Sequence, residues 1–281
     1  MKPFALGGLA FIFWCFLVWV QLPGDRLGQT LAHQINQNLT PPYRLQIQGA
    51  EPGWMGLGLE GVQLWDQGSK ELLVELGQLD LSFAPWYLFR GRVGFETIAY
   101  GGEIAGSLGF LFGLDLDLEA SHLQPNRIMR LRKTGLIHSN PELELKVQLN
   151  LDNMQARGMI DIQLHNLIIE AKAKDLNLMM DVPPTNFLKL DARLEIEPKS
   201  TFIQLAGKGD LSTNLSGKVE YSDLGNLQRA RMDLSLKLKP KEEYLESLGV
   251  IAQFAKSFTD PTGVIGLRLH GNLLAPQIEK L

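Results

Sequence analysis

The chain is read as mainly β: an N-terminal transmembrane helix, then a long, curled, largely antiparallel sheet forming a trough or a sandwich, with about three short helices. Three observations predict this. Apolar and polar residues alternate with period two through most of the 281 residues, the signature of strands with one buried and one wet face. The opening residues hold a single long uncharged run. Helical periodicity is confined to three short stretches.

The anchor comes first. From Pro3 to Gly24 no side chain is charged, and "FALGGLAFIFWCFLVWVQL" is almost wholly apolar. About 20 residues rising roughly 1.5 Å each span a hydrocarbon core of about 30 Å. Trp14 and Trp19 suit its outer half, where aromatic rings sit at the interface, and Lys2 favours an N-in orientation. The run ends "WVQLPGD", without the small residues of an A-x-A cleavage site, so it reads as a retained anchor rather than a signal peptide. Residues 1–24 are therefore a cytoplasmic tip and transmembrane segment, and residues 25–281 a body on the far side. The one cysteine, Cys15, lies in the anchor, so that body holds no disulfide.

The first helix is expected near residues 25–39, where "DRLGQTLAHQINQNL" places Leu27, Leu31, Ile35 and Leu39 four apart and Pro41-Pro42 stops it. About a dozen strands follow. "YRLQIQ" is short. In "LLVELGQLDLSF" the apolar set changes parity, from Leu72, Val74 and Leu76 to Leu79, Leu81 and Phe83, with Gly77 between. A one-residue slip turns a strand inside out unless a bulge or bend absorbs it, so a curved strand is expected there. "VGFETIAY", "GEIAGSLGF" and "LDLDLE" come next, then "PNRIMRLRK" as a short basic helix. In "LELKVQLNL", Leu143, Leu145, Val147, Leu149 and Leu151 oppose Glu144, Lys146, Gln148 and Asn150. "MIDIQLHNLII" continues the pattern. Pro183-Pro184 form the strongest internal break, because proline does not fit a central strand. Beyond it lie "LKLDARLEI", "FIQLAGKGDL", "SGKVEYS" and "MDLSLKLK". A late helix near residues 240–258 carries Leu245, Leu248, Ile251, Ala252, Ala255 and Phe258 on one stripe. "GVIGLRLHG" closes the strands, and Pro276 is expected to end the last one.

Three helices cannot cover one face of twelve strands, and an apolar sheet face must be covered by something. Twelve strands about 4.8 Å apart run roughly 58 Å side by side. The sheet can fold into a sandwich, close into a barrel, or curl into a trough whose lining is shielded by acyl chains.

Candidate chemistry is sparse. A net charge of -4 and a pI near 5.8 provide no basic stripe for a phosphate backbone, so nucleic acid is excluded as a partner. "GLGLEG", Gly56 to Gly61, matches a dinucleotide fingerprint, but "VQLWDQG" follows with alternation and a turn, where a helix N-terminus would have to receive the pyrophosphate. His33, His122, His138, His165 and His270 are scattered, without partners at metal-ligand spacing. No G-x-S-x-G elbow occurs. Asp115, Asp117 and Glu119 of "LDLDLE" share one strand face, nearly 7 Å apart, too far for a single ion without ligands from elsewhere. They read as a solvated face opposite Leu114, Leu116 and Leu118. No catalytic, cofactor-binding or metal-binding residue is assigned, and the protein is read as non-enzymatic.

The order of features carries a resemblance. The anchor, the short helix ended by prolines, "EPGWMGLGLEGVQLW", the run from Leu76 to Leu108 with "YLFRGR" and its glycine-rich strand, the late helix and the closing "GLRLHGNLLAPQI" together resemble the type II secretion system protein N family, in the form related to AsmA-like proteins. The resemblance implies an inner-membrane protein, single-pass with its N-terminus cytoplasmic and its β-rich body periplasmic, that belongs to the machine exporting folded proteins from Gram-negative bacteria. Other secretion subunits are then its expected partners. Kinship with AsmA-like proteins implies a curled sheet with an apolar groove, and so phospholipid acyl chains as alternative partners in lipid transfer between inner and outer membranes. The family brings no catalytic residue.

Overall fold

A computed structural model describes residues 24–39, 41–53, 55–83, 90–110, 113–127, 139–152, 155–171, 182–221, 230–249, 252, 257–273 and 275–281. The anchor with Cys15, His138, most of the expected basic helix and part of the late helix lie outside these residues. Among the described residues no helix is long and apolar enough to cross a membrane.

The described chain is mainly β. Fifteen strands form one antiparallel sheet in which spatial order follows chain order, except that the first two strands both pair the third. The chain divides into two compact units, the first covering residues 1–99 and 103–111, the second residues 100–102 and 112–281. Within each unit the sheet is not strongly curled, a correction to the curled sheet expected from the pattern. Among the described residues the strand pairing runs from the first strand to the last without returning to the first.

In the first unit, α1 (Gly24–Asn38) precedes β1 (Tyr43–Gln46), β2 (Gly49–Gly53), β3 (Gly56–Asp66), β4 (Glu71–Ser82), β5 (Arg92–Ala99) and β6 (Gly102–Gly109). α1 packs on β1 and β2. Its buried side differs from the expected stripe: Leu27, Leu31 and Ala32 join a core of Ile47, Ala50, Leu57, Leu59 and Val62, while Ile35 is 42% exposed. A strict spacing of four drifts about 40° per step around a 3.6-residue helix, so the contact moves to the neighbouring row Gly28, Ala32, Asn36.

The parity change in β4 is real, but the residue that absorbs it lies across the ladder. Glu60 pairs Gln78 and Val62 pairs Leu76, which sets Gly61 opposite Gly77. Gly61 has φ +58°, a left-handed conformation that glycine adopts without a Cβ penalty. A Cβ there would strike the Gln48 side chain. Leu57 and Leu59 on one side of Gly61, and Val62 on the other, thereby reach the same core.

In the second unit come β7 (Leu114–Leu123), a 3-10 turn (Pro125–Arg127), β8 (Glu142–Asp152), β9 (Gln155–Ala171), β10 (Val182–Glu197), β11 (Ser200–Gly209), β12 (Leu211–Glu220), β13 (Arg231–Pro240), α2 (Glu242–Ser247), β14 (Ile265–Asn272) and β15 (Ala275–Lys280). Three expectations are corrected. Pro183 and Pro184 lie inside β10, near the start of its pairing, where the register shifts between Val182 and Thr185 and an extra residue relieves the ladder of their missing donors. The late helix is interrupted: α2 ends at Ser247, and Gly249 with φ +55° terminates it as a left-handed C-terminal residue. Pro276 does not end the last strand but sits within β15.

A core of Val219, Tyr221, Ala230 and Leu234 anchors the C-terminal strands, with Ile203, Leu215, Met232 and Leu269 against it. Tyr221 carries its hydroxyl 3.1 Å from the carbonyl oxygens of Glu197 and Ser200 and 3.0 Å from Thr201 Oγ1. It fastens the β10–β11 turn to the end of β12.

Candidate functional site

Strand alternation in the second unit builds two contrasting faces. Along one, Leu118 pairs Val147, Val147 pairs Ile160, and the same rung runs through Leu194, Ile203, Gly217, Leu234 and Leu269 to Ile278. The next rung is Ala120, Leu145, Ile162, Ala192, Leu205, Leu215, Leu236 and Leu267. Nine consecutive strands therefore share an apolar face. Most of its residues are half-buried, and at its margins Leu114 and Leu151, a cross-strand pair, are 47% and 43% exposed.

The opposite face is a ladder of alternating charge. Glu119 pairs Lys146, Lys146 pairs Asp161, and Asp161 pairs Arg193. Opposite charges directly across a pair of strands attract, by about 0.2–1 kcal/mol per pair. Arg193 Nε lies 3.7 Å from Asp161 and 3.3 Å from Glu195, and Lys189 Nζ lies 3.0 Å from Asp191. Glu119, Lys146, Asp161, Lys189, Asp191 and Arg193 line a depression of about 970 Å³, to which Leu145, Ile162, Ala192, Leu205 and Leu215 of the apolar rung also contribute. Farther along, Lys218 stands over the Phe202 ring at 5.2 Å and 3.0 Å from Glu220. Arg268 donates two hydrogen bonds of 2.9 Å to Asp233. Arg268 holds the Asp233 carboxyl below its usual range by hydrogen bonding, and is itself raised by the same pair.

The residues singled out in the sequence are not gathered together. Asp115, Asp117 and Glu119 face Asn150, Gln148 and Lys146 of β8 respectively. They are not simply the wet side: Asp115 and Asp117 are half-buried, as are Leu116 and Leu118, while Leu114 is exposed. His33 bonds Gln37 along α1 at 3.1 Å. His122, on the β7 bulge, lies 3.9 Å from Glu142, and His270 lies 3.2 Å from Glu279. His165 stands opposite Glu142 and Lys189. "GLGLEG" is the first half of β3, with a strand continuing where a phosphate site needs a helix. Among the described residues no group of three or more metal-ligating side chains is gathered.

The two faces were partly legible in the sequence, since each strand displays its own alternation. The charge ladder was not, because it depends on registers between residues far apart in the chain, such as Glu119 with Lys146 and Asp161 with Arg193. Comparison with protein families, with curated proteins and with solved structures found no match.

Proposed function

We propose that this chain is a non-enzymatic component of the type II protein secretion system, anchored in the inner membrane by its N-terminal apolar run, with the β-rich body in the periplasm. The observation that carries the reading is the sheet that follows chain order and presents a continuous polar face of alternating charge. Such a face offers broad, shallow contacts to other subunits, and its ions neutralise one another in place. The run that bears the family resemblance, Leu76 to Leu108, falls on the end of β4, on β5 and on β6. Crosslinking in cells followed by affinity purification of the full chain tests this. Recovery of secretion subunits is expected, and recovery of none of them overturns the reading.

A second reading is favoured by a separate observation, the nine-strand apolar face with exposed Leu114 and Leu151. On this reading the chain is an AsmA-like lipid-binding or lipid-transfer protein acting between inner and outer membranes, with phospholipid acyl chains laid on the leucine rungs. Native mass spectrometry of the full chain released from lipid nanodiscs distinguishes the two. Retained phospholipid that is lost in a Leu149→Asp, Leu194→Asp variant supports lipid binding, and a lipid-free mass refutes it.

A further inference from the structure

An open sheet ends in two edges, and an uncovered edge strand is a template for another chain. In the first unit the edge is made of β1 and β2, which pair successive parts of the same side of β3. At β1, Gln67 N–H donates to the Pro42 carbonyl at 2.8 Å, so Pro42, Arg44 and Gln46 direct their backbone groups toward β3, while Tyr43 and Leu45 direct theirs outward. The outward groups of Leu45 are already occupied. Its N–H donates to Asn36 Oδ1 and its carbonyl accepts from Asn36 Nδ2, both at 2.7 Å. One side-chain amide on α1 thus makes the paired donor and acceptor contacts that a neighbouring strand would make. α1 is held there by Leu27, Leu31 and Ala32 in the core beneath.

In the second unit the edge is β15, blunted in another way. Leu281 N–H donates to the Gly266 carbonyl at 3.0 Å, which fixes Glu279, Gln277 and Ala275 as inward-facing and Pro276, Ile278 and Lys280 as outward-facing. Pro276 therefore places its missing N–H on the free edge, a position from which it obstructs strand addition without costing a bond to β14.

We propose that the Asn36–Leu45 clasp is an autoinhibitory contact: it keeps β1 from pairing with β1 of a second copy of this chain, and its release opens the protein to dimerisation. The occupant is set by symmetry. A two-fold axis through Arg44 puts Tyr43 opposite Leu45 of the other copy, twice, so both outward residues of each strand are satisfied and the contact closes on itself. β15, with one outward donor deleted by Pro276, is the poorer partner.

The test uses the full chain in detergent micelles, with its mass measured by light scattering, and Arg44→Cys in a Cys15→Ser background as a contact reporter. Residue 44 would meet its own symmetry mate at a closely spaced, non-hydrogen-bonded position, within reach of a disulfide. The protein with Asn36 intact is expected to keep a single-protomer mass and a free reporter thiol. Asn36→Ala, and Asn36→Asp, which cannot donate to the Leu45 carbonyl, are expected to double the mass and to crosslink through the reporter thiol. Adding Tyr43→Pro, which removes an outward N–H, is expected to restore the single-protomer mass. A dimer already present with Asn36 intact overturns the proposal. So do Asn36 variants that stay monomeric with an unchanged unfolding transition, variants that lose cooperative unfolding instead of dimerising, and dimers indifferent to Tyr43→Pro.

Discussion

Single polar groups hold the chain reversals of this sheet. At Asp260 one carboxylate oxygen accepts from Thr262 Oγ1 at 2.7 Å, Thr262 N–H at 2.8 Å and Val264 N–H at 2.9 Å. The Thr262 hydroxyl, then the backbone donors, hold its pKa below the ordinary value of 3.8. A carboxyl lowered in the folded state stabilises that state at pH above its unfolded pKa and loses the effect as pH falls through the folded one. The stability difference between the protein and Asp260→Ala is therefore expected to be constant near neutrality and to shrink below about pH 4, as read by urea unfolding across pH. Tyr221 acts at a buried site. Tyr221→Phe leaves the Glu197 and Ser200 carbonyls without this donor, and is expected to cost about 1–3 kcal/mol of unfolding free energy.

At the scale of elements, most strands were legible because their alternation is local. β8, β13 and the later part of β10, from Lys189 onward, follow the apolar pattern almost residue for residue, whereas the start of β10 was hidden by Pro183 and Pro184. β12 was seen only from Ser216 onward because its first half, "LSTNL", carries a polar Thr213 where the apolar rung would continue. β2, "GAEPG", lacks any alternation and is held by pairing with β3. β15 was hidden by Pro276, whose tolerance depends on which way its nitrogen faces, a fact of register rather than composition. The same limit applies to the bend shared by β3 and β4: Gly77 marked the parity change, but the left-handed residue is Gly61. Gly61→Val is expected to destabilise the first unit by about 1–3 kcal/mol from backbone strain alone, with a further loss where the new side chain meets Gln48. Gly77→Val, with open space around its Cβ, is expected to cost much less. Thermal unfolding of the two variants side by side checks this ordering. The candidate surfaces were legible only as strand faces. Their extent, nine strands on one side and a four-strand charge ladder on the other, came from long-range pairing.

For the whole molecule, the proposed role in protein export requires the N-terminal apolar run to act as a membrane anchor. Alkaline carbonate extraction of membranes is expected to leave the full chain in the pellet, and its release into the wash would overturn the proposed anchor. Secretion itself provides the most direct test. In cells whose chromosomal copy of this gene is deleted, enzymes exported by the type II pathway should accumulate in the periplasm and return to the medium when the full-length chain is supplied again. Undiminished export in the deletion strain would contradict the assignment.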